Sequence, residues 1–175
     1  MKATDVIADG FGRIREIVHE VVEGLPAERL NARVDPAANS ITWLVWHLTR
    51  IQDDHVADAA DLGQVWQSQD WAARFALSLP AGSTGYGHTA RQAGSVEVDS
   101  GELLLGYHDA VHEQTLRFVR QLAAADLDRV VDERWDPPVT LGVRLVSVLG
   151  DDLQHAGQAA FVRGLLERTW TAPPP

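Results

Sequence analysis

Apolar residues recur at helical spacing along four long stretches of the chain, and turn-forming residues separate these stretches. A repeat of three to four residues places the apolar side chains on one side of a helix, where they can pack against a neighbour. No stretch shows the alternation of polar and apolar residues that a half-buried strand would need. The pattern predicts an all-α protein, built as an antiparallel four-helix bundle.

The ends of the predicted helices are marked by capping and helix-breaking residues. Ser and Thr are favoured at helix N-termini, and Pro and Gly are favoured beyond helix ends. Residues 1–170 are predicted to form one domain, followed by a short tail at residues 171–175. The predicted helices run from about Thr4 to the stop signal at Gly24–Pro26, from Ser40 to about Asp61, from Asp99 or Ser100 to about Leu122, and from Thr140 to about Arg168.

A long connection, residues 62–98, separates the second and third predicted helices. One short helix is predicted in it, from Gln69 to Leu77. Loops of this length in a compact domain are usually functional or disordered. The aromatic residues in this connection favour an ordered segment that packs over a cleft; they are Trp66, Trp71, Phe75 and Tyr86.

The composition excludes several classes of function. The 175 residues include no cysteine, so disulfides, thiolate metal ligands and a protein thiol nucleophile are all excluded. The net charge of -10 argues against nucleic-acid binding and against docking on anionic membranes. The chain has no apolar run long enough to cross a bilayer and no signal-peptide pattern, so we expect a cytoplasmic protein.

The tryptophans are one reason to predict a homodimer. Trp43, Trp46 and Trp66 offer more aromatic surface than one small core needs. The alternative is that these side chains line the core or the cleft.

One histidine on the second predicted helix is a candidate metal ligand. His47 borders the apolar side of this helix, and Asp54 and His55 follow on roughly the same side. A histidine in such a position is also compatible with a hydrogen-bonded core residue.

The fourth predicted helix carries a second set of candidate ligands. Asp151 and His155 are one turn apart, so a carboxylate oxygen and an imidazole nitrogen can converge on one cation. Asp152 is also within reach of His155 by spacing, and spacing does not separate the two aspartates. With His47 from a facing helix, two nitrogens and one oxygen would suit zinc, nickel or iron in the +2 state. Three protein ligands leave an open coordination position, as in catalytic sites.

A competing pair of histidines lies on the third predicted helix. His108 and His112 are also one turn apart and would form an alternative metal site. Their acidic neighbours and their position at the edge of the buried stripe indicate instead two partly exposed histidines.

Three segments of the sequence resemble a known family. The segments are NSITWLVWHLTRIQDDH, TGYGHT and RLVSVLGDDLQHAGQAAFVRG. Together they resemble the DinB-like superfamily of metal-binding four-helix proteins. They are most similar to its actinobacterial branch, which is related to mycothiol-dependent transferases and to the N-terminal domain of mycothiol-dependent maleylpyruvate isomerase.

The resemblance implies a ligand set and an activity. It implies that His47, Asp151 and His155 bind a divalent metal, although the isomerase-like branch has glutamate where this chain has Asp151. Asp152 or a water-bridged contact is the alternative to Asp151. His108 and His112 match no ligand position of the family.

The implied activity is that of a thiol S-transferase, in which the metal activates a low-molecular-weight thiol such as mycothiol for attack on a small-molecule electrophile. His55, Asp54 and the loop residue His88 are candidates for acid–base or substrate contacts, while an exposed loop histidine is the simpler interpretation of His88. The alternatives are a non-enzymatic metal-binding bundle and a metal-dependent hydrolase.

Overall fold

The computed structural model describes residues 1–169, and most of these residues are helical. The prediction of a mainly helical protein is therefore confirmed. The predicted tail at residues 171–175 lies outside the described residues. In chain order the helices are α1 (Ala3–Val22), α2 (Ala27–Asn31), α3 (Ile41–Ala60), α4 (Val65–Ser68), α5 (Trp71–Phe75), α6 (Ala90–Ala93), α7 (Gly101–Gln121) and α8 (Leu141–Thr169). A 3-10 helix at Ala124–Asp128 and two short strands, β1 (Val130–Asp132) and β2 (Val139–Thr140), lie between α7 and α8.

The longest helix, α8, packs against both α1 and α3. Arg163 near the C-terminal end of α8 donates hydrogen bonds to the carbonyls of Glu20 and Val21 near the C-terminal end of α1. These two helices are therefore parallel. Arg144 near the start of α8 contacts His55 near the end of α3, so α3 and α8 are antiparallel.

The helix α7 also packs against two long helices, α1 and α3. Thr49 of α3 contacts His108, and Gln52 contacts Thr115 further along α7, so α3 and α7 run in the same direction. Because α1 is parallel to α8 and α8 is antiparallel to α3, α1 is antiparallel to α3. The helix α7 is parallel to α3, so α1 and α7 are antiparallel. Two of the four contacts between long helices, α3 with α8 and α1 with α7, thus have the predicted antiparallel direction. The other two are parallel. The helix α7 can run parallel to α3 because the long segment 62–98 returns the chain to the end of the molecule where α3 begins.

The segment 62–98 is built from three short helices, where the sequence predicted one from Gln69 to Leu77. The predicted helix is present as α5, Trp71–Phe75. Trp66 from α4 and both ends of α5 pack on the Tyr107 ring of α7, with ring centroids 5.1, 5.7 and 5.8 Å away. Tyr86, expected among these packed aromatics, is exposed. The glycines on either side of it have positive φ angles, which turn the chain at this point.

The two strands form a short antiparallel pair that the sequence pattern did not predict. The buried carboxylate of Asp132 at the end of β1 accepts hydrogen bonds from Arg134 and Arg144. Because Arg144 belongs to α8, this ion pair ties the strand pair to the start of the longest helix.

The tryptophans used to predict a dimer are not on the surface. Trp43, Trp46 and Trp66 are all buried in the core of the chain. Their role is internal packing, which was the alternative, so the tryptophans do not support the homodimer, and the homodimer stays a prediction.

No helix in the described part of the chain is both long enough and apolar enough to cross a membrane.

His108 is buried completely, contrary to the predicted exposure at a helix edge. The Thr49 hydroxyl donates to the Val45 carbonyl at 2.7 Å and lies 3.2 Å from Nδ1 of His108. Because the hydroxyl donates its only proton to Val45, it acts as the acceptor toward His108, and Nδ1–H of His108 is the donor. Burial lowers the pKa of His108 to about 3, so the ring is neutral in the folded protein at neutral pH.

Acid should destabilise the fold through His108. Below the ordinary histidine pKa of 6.5 the unfolded chain binds a proton at this residue that the folded chain does not bind until about pH 3. The stability contributed by the neutral ring is complete above pH 6.5 and declines as the pH falls, by about 1.4 kcal/mol for each pH unit. In urea unfolding between about pH 5 and pH 7, His108→Gln should show a shallower decline than the unsubstituted chain.

His19 provides a control of opposite sign. Although burial lowers its pKa, hydrogen bonds with Asp109 and Glu23 raise it, and the net direction is upward. His19→Gln should therefore make the acid decline steeper. Equal slopes in all three proteins would contradict this account of His108.

Candidate metal centre

His47, near the middle of α3, is positioned by two neighbours. Its imidazole stacks on the Trp43 indole one turn earlier, with ring centroids 4.5 Å apart. Its Nδ1 lies 2.6 Å from the carbonyl oxygen of Thr84 in the segment 62–98. A carbonyl can only accept, so Nδ1–H is the donor and the lone pair is on Nε2. This arrangement of a ring nitrogen bonded to a carbonyl is typical of histidines that bind a metal through the other nitrogen.

The backbone that supplies this carbonyl requires a glycine at the next position. Gly85 has a φ of 94°. A Cβ atom added there would lie 2.6 Å from Nδ1 of His47 and 3.1 Å from the Trp46 ring. Both the backbone conformation and the close approach to His47 therefore depend on glycine.

His155 approaches His47 from α8. The two rings are nearly perpendicular, with centroids 4.7 Å apart. Nδ1 of His155 lies 2.9 Å from Oε1 of Gln158, one turn further along α8. This oxygen is an acceptor, so Nδ1–H donates to it and the second histidine also has its lone pair on Nε2.

Asp151 completes a group of three potential ligands. One ligand atom from each of His47, Asp151 and His155 lies within 4.8 Å of the other two, and this is the one such group among the described residues. The Oδ2 atom of Asp151 is buried and has no hydrogen-bond partner. A buried acceptor without a partner is costly unless a cation or water satisfies it. The two nitrogen atoms and one carboxylate oxygen therefore fit a divalent cation.

Burial keeps His47 in the form that a metal needs. Desolvation is the largest cause that lowers its pKa, and the nearby His155 and His88 act in the same direction. The Thr84 carbonyl and Asp151 oppose this shift without reversing it. A lowered pKa favours the neutral imidazole, which can donate its electron pair to a cation at neutral pH.

The adjacent Asp152 does not join the group. Its side chain is completely buried, and neither of its oxygen atoms has a hydrogen-bond partner among the described residues. Burial and the neighbouring Asp151 charge raise its pKa well above the ordinary value, which favours the protonated form. Of the two aspartates that spacing left open, the structure brings Asp151 to the histidines.

His55 lies two turns beyond His47, outside the group of potential ligands. Nδ1 of His55 is 3.1 Å from the Arg144 guanidinium, which in turn donates to Asp132. A guanidinium has only donors, so Nδ1 accepts and the proton of the neutral ring is on Nε2. Burial and the Arg144 charge lower the pKa of His55, although Asp54, Asp58 and Asp151 oppose this shift. In this state His55 can offer a hydrogen bond from Nε2 but no free electron pair.

His55 faces a charged cavity of about 340 Å³ at one end of the α3–α8 contact. The other residues that line it are Asp54, Ala57, Asp58, Leu62, Gln64, Arg134 and Arg144. Carboxylates and guanidinium groups both face this space, so it suits a polar molecule with several hydrogen-bonding groups.

A second, uncharged cavity of about 520 Å³ lies on the other side of the histidines. It is connected to them through Gln158, which lines the cavity and accepts the hydrogen bond from His155. Its other lining residues are Ala37, Ala38, Asn39, Leu44, Gly157, Phe161 and Val162. This cavity suits a more apolar molecule.

His88 is close to His47 but has both ring nitrogens engaged. The Trp43 indole N–H, which can only donate, lies 3.2 Å from Nδ1, and the Ser83 hydroxyl lies 2.9 Å from Nε2. In the neutral ring Nε2 therefore carries the proton and donates to Ser83. His88 fastens the segment 62–98 to α3 and has no lone pair with which to activate the Ser83 hydroxyl.

Several residues of this site did not emerge from the sequence. Trp43 and Gln158 could have been found, because they lie four residues before His47 and three residues after His155 on the same helix sides. Thr84 and Arg144 begin two of the segments that resemble the family, but their contacts with His47 and His55 could not be predicted, because each residue reaches its histidine from a distant part of the chain.

Comparison with known proteins gives the family but no function. The sequence pattern of the DinB superfamily matches residues 11–159. No functionally curated protein matches the chain. The crystal structure of a conserved protein from Enterococcus faecalis is similar over 97% of this chain and 99% of its own, with 33% sequence identity and a TM-score of 0.90. The family match spans most of the sequence and includes all three potential ligands, and the chain therefore belongs to the DinB superfamily.

Proposed function

We propose that this protein is a metal-dependent thiol S-transferase whose metal is bound by His47, Asp151 and His155. The observation that supports the proposal is the convergence of these side chains within 4.8 Å, with both histidines holding their lone pairs on Nε2. Members of the DinB superfamily often bind metals, which is consistent with this assignment. Zinc is the first choice, and nickel and iron in the +2 state share its preference for such donors.

The absence of cysteine directs the choice of reaction. The thiolate that attacks an electrophile must come from a small molecule, because the chain has none of its own. A divalent metal with an open coordination position would lower the pKa of a bound thiol. Mycothiol is the proposed thiol, since the sequence resembles the mycothiol-dependent branch of the superfamily.

The two cavities beside the histidines suggest where the reactants bind. We assign the polar thiol compound to the charged cavity at His55 and the electrophile to the uncharged cavity at Gln158. His55 would donate a hydrogen bond from Nε2 to the thiol compound, because Arg144 holds its Nδ1 as an acceptor. His88 would act indirectly, by holding the segment that carries Thr84 against α3.

We propose that the four long helices form a four-helix bundle within a single domain of residues 1–170, and that the segment 62–98 closes the end near the histidines. The proposed place of action is the cytoplasm, where low-molecular-weight thiols stay reduced.

Removal of either histidine ligand should abolish metal binding. We expect His47→Ala and His155→Ala to lose zinc in titration calorimetry and in elemental analysis of the purified protein, with nearly unchanged circular dichroism. Zinc affinity in the unsubstituted chain should weaken as the pH falls, because protons compete with the cation for the ligand nitrogens. His112→Ala is the matched control and should bind zinc normally. Loss of zinc from His112→Ala but not from His47→Ala would contradict the assignment.

Substitution of Gly85 should weaken metal binding from outside the ligand set. Gly85→Ala places a Cβ against Nδ1 of His47, so we expect the imidazole ring to shift. Zinc affinity should fall about tenfold or more, which is the usual loss when a residue that orients a metal ligand is substituted. Gly87→Ala is the control, because Gly87 also has a positive φ but has open space around the added Cβ. Equal zinc affinity in the two variants would show that contact with His47 is irrelevant.

The reaction class is tested by thiol dependence. Zinc-loaded protein should consume electrophiles such as epoxides or activated alkenes when mycothiol is present, with a thioether as product. Turnover without any thiol would favour the metal-dependent hydrolase. Zinc binding without turnover across such a screen would favour the non-enzymatic metal-binding bundle.

A further inference from the structure

Arg50 is a charged residue buried in the core of the protein. It is completely excluded from solvent and follows His47 by three residues, so both side chains project from one side of α3. A buried charge is costly unless an opposite charge and hydrogen bonds satisfy it. The carboxylate of Asp53 is 3.5 Å from the guanidinium, which is longer than a strong charged hydrogen bond. The ion pair alone therefore does not explain why an arginine occupies this position.

The three nitrogens of the Arg50 guanidinium make hydrogen bonds in different directions. Nε donates to the Ser83 carbonyl at 3.1 Å, and one terminal nitrogen donates to the Tyr107 hydroxyl at 3.2 Å. The other terminal nitrogen donates to Oε1 of Gln64 at 3.0 Å. Gln64 lies near the start of the segment 62–98 and Ser83 lies in its second half, so one side chain ties both halves of the segment to α3.

The carbonyl that Arg50 holds is next to the one that orients His47. Thr84 follows Ser83, and its carbonyl accepts the hydrogen bond from Nδ1–H of His47 at 2.6 Å. Two successive carbonyls of the segment are therefore bonded to two side chains of α3. The only soft torsions between these carbonyls are the two backbone dihedral angles of Thr84. A bond that fixes the Ser83 carbonyl thus restricts the direction of the Thr84 carbonyl.

Asp53 has a separate role at the start of the same segment. Its carboxylate accepts hydrogen bonds from the backbone N–H groups of Val65 and Trp66, both at 2.8 Å. It also accepts one from the Tyr107 hydroxyl at 2.8 Å. These bonds hold the beginning of α4, whereas the bond from Arg50 to Ser83 holds the backbone beside His47.

The choice of arginine fits a positioning role better than a role in stability. Apolar residues of similar volume often replace a buried ion pair with no loss of stability. Lysine has one nitrogen, so it cannot bond to Ser83, Gln64 and Tyr107 together as the planar guanidinium does. His88 also contacts Ser83, but through the hydroxyl group, which can rotate without moving the backbone.

The same guanidinium reaches the wall of the charged cavity. Gln64, which accepts a hydrogen bond from Arg50, donates one from Nε2 to Oδ1 of Asp54 at 2.7 Å. Both Gln64 and Asp54 line this cavity. Arg50 therefore connects the space assigned to the thiol compound with the backbone that orients His47.

We propose that Arg50 is a positioning residue for metal binding, which fixes the backbone at Ser83 so that the Thr84 carbonyl keeps the proton of His47 on Nδ1. His47 then has its lone pair on Nε2, the form in which it can bind a cation. This inference rests on the metal site proposed above. The position of the proton on His47 can nevertheless be measured without any metal.

NMR of the imidazole nitrogens in the metal-free chain tests the proposal at about pH 8, where imidazoles are neutral. In the unsubstituted chain we expect the His47 proton on Nδ1. Arg50→Lys keeps a positive charge beside Asp53 but removes the Nε donor, so the proton should divide between Nδ1 and Nε2. In titration calorimetry the zinc affinity of Arg50→Lys should be lower by about tenfold or more.

Tyr107→Phe is the matched control. It removes the hydroxyl that bonds to Arg50 and Asp53 but leaves the bond from Nε to the Ser83 carbonyl. We expect Tyr107→Phe to unfold at lower urea concentration, with the His47 proton still on Nδ1 and unchanged zinc affinity. If Tyr107→Phe lost both as Arg50→Lys does, general loosening of the core would be the cause and the proposal would be wrong.

A double variant covers the case in which Arg50→Lys fails to fold. Arg50→Met combined with Asp53→Asn removes both charges of the buried pair, a change that often leaves a fold intact. It should show the same divided proton on His47. A proton that stays on Nδ1 in the folded variants, or one already divided in the unsubstituted chain, would overturn the proposal. If the unsubstituted chain bound no zinc while the His47 proton still depended on Arg50, the positioning role would stand and the proposed function would fail.

Discussion

The antiparallel contact between α3 and α8 is the interaction on which the rest of the structure depends. It brings His47 and His155 together although they are more than one hundred residues apart in sequence. Both helices also line two cavities, a charged one at His55 and Arg144 and an uncharged one at Leu44 and Gln158. The contact also determines which side of α8 faces solvent, because side chains on opposite sides of a helix cannot contact the same neighbour.

Both His47 and His155 have their lone pair on Nε2, but different hydrogen-bond acceptors hold the proton on Nδ1. His155 uses Gln158 of its own helix, so this hydrogen bond forms wherever α8 forms. His47 uses the Thr84 carbonyl, which is present only when the segment 62–98 packs on α3. Trp43, Ser83 and His88 hold that segment in place through a short chain of hydrogen bonds. The orientation of His47 therefore depends on a part of the chain that lacks regular structure over much of its length.

The local pattern of the sequence was sufficient for the helices and for the candidate ligands. Ser40 accepts a hydrogen bond from the Trp43 backbone as an N-cap should, and α3 ends within one residue of its predicted end. The i, i+4 spacing of Asp151 and His155 places both on one side of α8 whatever the rest of the fold may be. The pattern was less informative for segment 62–98 and for β1 and β2, because short elements stabilised by distant contacts leave little periodicity to detect.

Tertiary structure decided the features that depend on how one helix is rotated against another. Adjacent helical residues point about 100° apart, so either Asp151 or Asp152 could face the histidines, and only the packing of α8 on α3 and α1 selects Asp151. The burial of His108 and of the three tryptophans was decided in the same way, by neighbours that the sequence does not name. The sequence by itself determined the helices and the spacing of the ligands, because these follow from the repeat of a single helix. Convergence of the ligands, the proton position on His47 and the exposure of each helix side required contacts between distant residues.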